Sequence, residues 1–167
     1  MADHSLAYSI ISCILLIGLL IFLYYRPKKT NKEEKQPNAG SNALQLQAYE
    51  RLTLLVDRIT IPNLISRINH EGLSAREMQF VLTKTIRDEF DYNITQQIYI
   101  TPETWNAVKN LKEKNLLIIN QVSSLLPPHA TGLDLNKAIL EYAMNDPHAN
   151  QHELVSEALG YEAKKLL

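Results

Sequence analysis

Apolar residues are unevenly distributed along this chain, and the longest apolar run lies near the start. Residues 6–25 read LAYSIISCILLIGLLIFLYY, twenty residues without a charged side chain. At 1.5 Å per residue, such a helix is about 30 Å long, which matches the hydrocarbon core of a bilayer. The pattern predicts one transmembrane helix over residues 6–25, preceded by a short external N-terminus at residues 1–5.

Aromatic and basic residues mark the end of this apolar run. Tyr24 and Tyr25 close it, and Arg26, Lys28 and Lys29 follow. Tyrosine rings favour the headgroup boundary, and an excess of lysine and arginine marks the cytoplasmic flank. These residues are predicted to lie at the membrane interface, with the N-terminus outside and the C-terminal domain in the cytoplasm. The lipid bilayer is the first predicted partner.

The next stretch is polar and contains residues that break regular structure. Within it, TNKEEKQPNAGSN at residues 30–42 includes Pro37 and Gly40. Polar segments with proline and glycine are typical of flexible tethers. We therefore predict a basic juxtamembrane segment and flexible linker over residues 26–42.

From residue 43 onward, apolar residues recur at helical spacing between proline and glycine breakers. The breakers are Pro62, Gly72, Pro102, Pro127, Pro128, Gly132 and Pro147. Helices are predicted over residues 43–59, 133–144 and 148–165, with two longer ones that begin at Ser74 and Thr101. A short apolar piece lies at residues 62–69. The fold class is therefore all-α: a transmembrane helix, a linker and a small cytoplasmic helical bundle over residues 43–167.

Two of these helices begin with specific capping signals. The sequence Ser74-Ala75-Arg76-Glu77 has the spacing of a capping box, and Thr101-Pro102 pairs an N-cap residue with a proline at the first helical position. Between the two helices, residues 98–100 read Ile-Tyr-Ile, which is typical of a strand. Because no partner strand is apparent, we interpret this stretch as an extended connector, which the ring of Trp105 is expected to hold against the bundle.

Charge and cysteine content exclude several classes of protein. The chain has 17 Lys+Arg and 18 Asp+Glu, and residues 43–167 contain 12 of the former and 15 of the latter, a balance of −3. Nucleic-acid binding, which relies on clustered cations, is not predicted. The single cysteine excludes a disulfide framework and a Cys-based zinc site.

No reactive constellation is recognisable. His148 and His152 are four residues apart, but the sequence identifies no third or fourth metal ligand. Phosphate-binding, dinucleotide-binding and nucleophile-elbow motifs are missing from the sequence. We therefore predict no catalytic residue, no metal, no cofactor and no small-molecule substrate, although an unrecognised enzyme site stays an alternative.

Two stretches of the chain resemble an uncharacterised family of small single-span proteins from Bacteroidota. They are EFDYNITQQIYIT, at residues 89–101, and PPHATGLDL, at residues 127–135. The resemblance extends over residues 44–140 and implies a bacterial inner-membrane location, but it carries over no activity.

The first of these stretches also contains the candidate interaction surface. Its polar and aromatic residues are Tyr92, Asn93, Gln96, Gln97 and Tyr99. Irregular connectors often carry function. The alternative is that these side chains satisfy backbone groups and pack the helix crossing.

These observations favour a membrane-tethered interaction or scaffolding module that binds another protein. One alternative is a subunit or assembly component of a larger membrane complex. The other is an enzyme with an unrecognised site.

Overall fold

The computed structural model describes residues 39–145 and 151–167, and within them the chain is all-helical. There are six α-helices and one 3₁₀-helix, with no strand in this part of the chain. The α-helices are α1 (Ala39–Ile59), α2 (Ile61–Ser66), α3 (Ala75–Tyr92), α4 (Pro102–Leu125), α5 (Gly132–Asn145) and α6 (Gln151–Lys164). The 3₁₀-helix, Ile94–Ile98, connects α3 to α4. The prediction of a helical bundle is confirmed.

The predicted membrane architecture requires correction. No helix in the described residues is both long enough and apolar enough to span a membrane. The longest, α4, has 24 residues but carries five charged side chains. A charged side chain at the centre of a bilayer costs about 2.5–3.5 kcal/mol on insertion scales. On this finding, the single-pass inner-membrane location and the transmembrane part of the fold class are withdrawn.

The segment on which the membrane prediction was made lies outside the described residues. This applies to residues 6–25 and to the predicted interface residues Tyr24, Tyr25, Arg26, Lys28 and Lys29. The first described helix, α1, begins at Ala39. Its first turn therefore falls within the last four residues of the predicted linker.

The core is built from one apolar face of each long helix. Helix α1 packs most extensively against α6, and α3 packs against both α4 and α5. The side chains without measurable exposure include Leu52, Ile59, Met78, Leu82, Ile86, Ile119, Leu135, Ile139 and Leu159. Each such leucine, isoleucine or methionine contributes about 1.5–3 kcal/mol by burial. Since the buried residues range from Leu52 in α1 to Leu159 in α6, both ends of the described chain contribute to the core.

Both predicted helix caps are present. The Ser74 hydroxyl oxygen accepts a hydrogen bond from the Glu77 backbone N–H at 3.3 Å, and the Glu77 carboxylate accepts one from the Ser74 N–H at 2.9 Å. The Thr101 hydroxyl oxygen accepts from the Thr104 N–H at 3.3 Å, with Pro102 at the start of α4. These contacts satisfy N–H groups that have no partner within the helix.

A third cap, at the start of α5, was not predicted. The Asp134 carboxylate accepts hydrogen bonds from the Thr131 N–H at 2.9 Å and from its hydroxyl at 2.7 Å, and the Asp134 N–H donates to Thr131 Oγ1 at 3.2 Å. The sequence analysis interpreted Gly132 only as a breaker. The spacing of Thr131 and Asp134, with an acid three residues after a threonine, was the signal that it missed.

The N-terminal ends of α3 and α5 are tied together through their backbones. The Ala75 N–H donates to the Ala130 carbonyl at 2.9 Å, and the Gly132 N–H donates to the Leu73 carbonyl at 2.7 Å. A Cβ on Gly132 would lie 3.2 Å from the Leu73 carbonyl oxygen and 3.3 Å from Met78 Cβ. A side chain at this position would therefore force the two chain segments apart by a few tenths of an ångström.

We expect Gly132→Ala to destabilise the protein by about 1–3 kcal/mol, because overpacking a close contact forces the backbone to shift. Gly160→Ala is the matched control, since a Cβ at Gly160, within α6, meets nothing within 4 Å. Alanine there should stabilise by about 0.5–1 kcal/mol through helix propensity. Urea unfolding monitored by circular dichroism measures both. Equal effects of the two substitutions would contradict the close approach at Gly132.

The capping carboxylates make stability depend on pH. Hydrogen bonds from the Ser74 hydroxyl and N–H lower the pKa of Glu77 below its ordinary 4.5, and those from Thr131 lower the pKa of Asp134 below 3.8. A lowered pKa in the folded state means that the contribution is present above the unfolded-state pKa. It is lost as the pH falls through the folded-state pKa.

We therefore expect stability to fall between pH 5 and pH 3, and to fall less steeply in the double variant Glu77→Gln, Asp134→Asn. Both replacements keep a hydrogen-bond acceptor but lose the charge. Urea midpoints measured at intervals of half a pH unit test this. Parallel curves for the two proteins would show that these caps contribute nothing to the acid sensitivity.

Two buried asparagines lie in contrasting environments. Asn115, in α4, is 5% exposed, and its Nδ2 donates to the carbonyl of Ile59, the last residue of α1, at 2.6 Å. Asn136, in α5, is 4% exposed, and its Oδ1 accepts no hydrogen bond. Asn115 provides a hydrogen-bond donor for the backbone carbonyl at the end of α1. The side-chain carbonyl of Asn136, in contrast, is buried without a hydrogen bond.

We expect Asn115→Leu to destabilise by about 1–3 kcal/mol, because it leaves the Ile59 carbonyl without its partner. Asn136→Leu should be neutral or stabilise by up to about 1 kcal/mol, because it removes an unpaired group from the core. Thermal and urea unfolding of both variants provides the comparison. If Asn136→Leu proved as damaging as Asn115→Leu, the Asn136 carbonyl would have to be paired in solution.

Candidate functional site

The connector between α3 and α4 is helical and not extended as predicted. Asn93 caps the end of α3, and its Nδ2 donates to the Glu89 carbonyl at 2.8 Å. The chain then continues through bonds of 3₁₀ type: the Gln96 N–H donates to the Asn93 carbonyl and the Tyr99 N–H to the Gln96 carbonyl, both at 3.0 Å. These local bonds satisfy the backbone without a partner strand.

Several residues of this connector are buried or exposed against the expectation from their polarity. The polar residues Asn93 and Gln96 are only 6% and 9% exposed. The apolar residues Tyr92, Ile94 and Ile98 are 75%, 42% and 72% exposed. A 3₁₀-helix has three residues per turn, so residues 93, 96 and 99 share its inner face. We call the three exposed apolar residues the connector surface.

The five candidate interaction residues are thus divided between the two faces of the connector. Tyr92 and Gln97 are exposed, Asn93 and Gln96 are buried, and Tyr99 is half-buried. The Gln96 side chain donates to Thr95 Oγ1 at 3.3 Å, and Asn93 bonds to the backbone. Asn93 therefore has the backbone-satisfying role that the sequence left open as an alternative, whereas the Gln96 side chain bonds to another side chain. The sequence analysis did not name Ile94 or Ile98 as surface residues, because their apolar character indicated burial.

An ion-pair cluster anchors the first end of the connector. The Glu89 carboxylate lies 3.2 Å from the Arg58 guanidinium and 3.5 Å from that of Arg67. Arg67 also donates to the Arg58 carbonyl at 2.9 Å. Since Asn93 bonds to the Glu89 backbone, this cluster links the end of α1 and the residue after α2 to the start of the connector.

Tyr49, in α1, anchors the other end. Its side chain is buried, and its hydroxyl lies near the backbone of Thr101, where α4 begins. Burial raises the pKa of Tyr49, and the nearby Glu162 adds to this rise. The connector packs against α1 between these two anchors.

Trp105 packs against α3. Its ring is partly buried, and its centroid lies 5.0 Å from that of Phe90, with the two planes tilted by 31°. The Lys112 ammonium lies 4.3 Å from the Phe90 centroid on the same side of α4. Trp105 therefore contacts the last turns of α3, and the expectation that it holds the connector stays a prediction.

Metal-ligating side chains do not cluster in the part of the chain that the structure covers. No group of three or more histidine, cysteine, aspartate or glutamate residues is placed to hold a metal ion among residues 39–145 and 151–167. Of the histidine pair that the sequence singles out, His148 lies outside the described residues. His152 lies in α6.

These residues define a small helical bundle in which a short connector carries exposed apolar residues. The chain belongs to a family of unknown function, DUF7935, whose sequence profile matches residues 4–166. The chain is also similar to the uncharacterized protein YaaL of Bacillus subtilis (strain 168), at 46% identity over 39 residues. This match covers 23% of the chain and 53% of YaaL, so the chain spans about half the length of that curated relative. No solved structure matches.

Proposed function

We propose that this protein is an interaction module that binds another protein through the connector surface. The observation that carries the proposal is the exposure of three apolar residues at positions 92–98. Asn93 and Gln96 occupy the inside of the connector, while Tyr92, Ile94 and Ile98 face solvent. Single exposed leucines are common on protein surfaces and indicate no function. Buried polar residues and exposed apolar patches are less common, and an exposed apolar patch indicates an interaction site.

Energetics favour a partner with an apolar contact face. Leaving an isoleucine exposed forgoes about 1.5–3 kcal/mol of burial. Tyrosine is a frequent anchor at interfaces because its ring supplies apolar area and its hydroxyl a hydrogen bond. The anchors at Tyr49 and Glu89 hold the ends of the connector in place, so binding would require little loss of backbone freedom.

A second candidate function is that of a subunit or assembly component of a larger complex. In that case too, the connector surface would contact the other subunits. An enzyme is less well supported, because the connector surface contains no titratable acid or base other than the Tyr92 hydroxyl. The narrower family resemblance, to proteins from Bacteroidota, stays a prediction.

Site-specific crosslinking tests the proposal in the full-length protein in its own cells. A photoreactive residue at position 98 should give a discrete adduct with another protein, and one at position 125 should not. Leu125 is the matched control because it is 82% exposed and lies at the far end of α4. The Tyr92→Asp substitution should reduce the position-98 adduct at least tenfold, and Leu125→Asp should leave it unchanged.

Three results would contradict the proposal. The first is the absence of any adduct from position 98. The second is an adduct that survives Tyr92→Asp in a variant with an unchanged melting curve. The third is an adduct of twice the chain mass, because it would assign the surface to self-association and not to a different protein.

A further inference from the structure

A cleft lies between the first turn of α3 and the C-terminal end of α4, and it is formed by other residues than the connector surface. Its volume is about 320 Å³. One wall carries Arg76 and Gln79, and the other carries Asn120, Ser123 and Ser124. Apolar residues, among them Leu126 and Pro127, complete the lining. The volume is at the lower end of the range for small-molecule sites.

A chain of hydrogen bonds sets the direction of the polar groups in this cleft. Gln79 Nε2 donates to Asn120 Oδ1 at 2.9 Å, and the Ser123 hydroxyl donates to Gln79 Oε1 at 3.0 Å. The Ser124 hydroxyl donates to the Gln121 carbonyl at 2.7 Å. The Asn120 carbonyl is therefore occupied, whereas its Nδ2 keeps two N–H groups to donate to a ligand.

The charge of the cleft has one sign. Arg76 is exposed, and within the described part of the chain its guanidinium has no ion-pair partner. None of the residues lining the cleft is an aspartate or glutamate. The carboxylate next in sequence, Glu77, accepts a hydrogen bond from the Ser74 hydroxyl at 2.7 Å and lines the neighbouring groove around Phe80, which Arg76 lines as well. One cation, free amide donors and apolar lining are thus combined in one small cleft.

We propose that this cleft binds the carboxylate of a small organic acid. The guanidinium of Arg76 presents paired N–H donors that match a carboxylate in a bidentate manner. Asn120 Nδ2 supplies a further donor, and the apolar lining receives the hydrocarbon part of the acid. A dianionic phosphate fits less well, because the cleft provides a single cation and an apolar wall.

Benzoate is a suitable probe, and benzamide is its neutral counterpart of the same shape. At constant ionic strength, the side-chain amide signals of Asn120 in the full-length ¹⁵N-labelled protein should shift saturably with benzoate. Benzamide should bind at least tenfold more weakly. Acetyl-dialanine, with a free C-terminal carboxylate, distinguishes the source of the group: tighter binding than benzoate assigns the cleft to peptide ends, and weaker binding assigns it to free acids.

Two substitutions separate binding from folding. Arg76→Gln removes the cation, and Asn120→Asp keeps the acceptor for Gln79 while it replaces the donor with a like charge. Both should weaken benzoate binding at least tenfold without a change in the melting temperature. Since Asn120→Asp has no Asn120 amide signal, binding to this variant is followed through the side-chain amide of Gln79, which lines the same cleft. Arg87→Gln is the matched control, since this exposed arginine lies on α3 eleven residues later and outside the cleft, and it should bind benzoate normally.

The proposal would be overturned by an Asn120 amide that does not respond to benzoate at millimolar concentrations. It would also be overturned by binding that survives both Arg76→Gln and Asn120→Asp, or by phosphate that binds as tightly as benzoate. None of these measurements depends on the connector surface, so a failure here leaves the proposed interaction function untouched.

Discussion

The backbone contact between residues 73–75 and residues 130–132 holds the N-terminal ends of α3 and α5 side by side. It consists of two hydrogen bonds, from the Ala75 N–H to Ala130 and from the Gly132 N–H to Leu73. Helix ends have unpaired N–H groups, and burying them unpaired is costly. Because the N–H groups of Ala75 and Gly132 each donate to a carbonyl of the other segment, the chain brings the buried faces of both helices into one core. The same contact places Arg76 beside Pro127, which creates the cleft at the end of α4.

The connector shows how a short segment is held when its own composition opposes burial. Its ends are attached to α1, one through Tyr49 and the other through the Arg58–Glu89–Arg67 cluster. Between these points Asn93 and Gln96 turn inward and bond to the backbone and to Thr95. The apolar residues are then left outside because the 3₁₀ repeat cannot place both sets on one face.

The two proposed sites are distinct in chemistry as well as position. The connector surface is apolar and exposed, and is suited to a partner that buries it. The cleft is concave, carries one guanidinium and directs amide donors outward, and is suited to a small anion. They lie near opposite ends of α3, since Arg76 is in its first turn and Tyr92 is its last residue. A single bundle can therefore offer two independent binding surfaces.

The sequence by itself determined the helices and two of their caps, because these depend on residues within four positions of one another. Ser74 with Glu77 and Thr101 with Pro102 are examples, and the missed pair of Thr131 and Asp134 was equally readable. An apolar run was not sufficient to establish a membrane protein, and apolar character did not predict that Ile94 and Ile98 would be exposed.

Tertiary structure decided the contacts that form the candidate sites. Arg58 and Glu89 are 31 residues apart, Gln79 and Asn120 are 41 apart, and Ile59 and Asn115 are 56 apart. No local pattern encodes such pairs, because they exist only after the helices have packed. The physical reason is that capping is satisfied within one helical turn, whereas the burial of a polar side chain depends on which distant backbone group meets it.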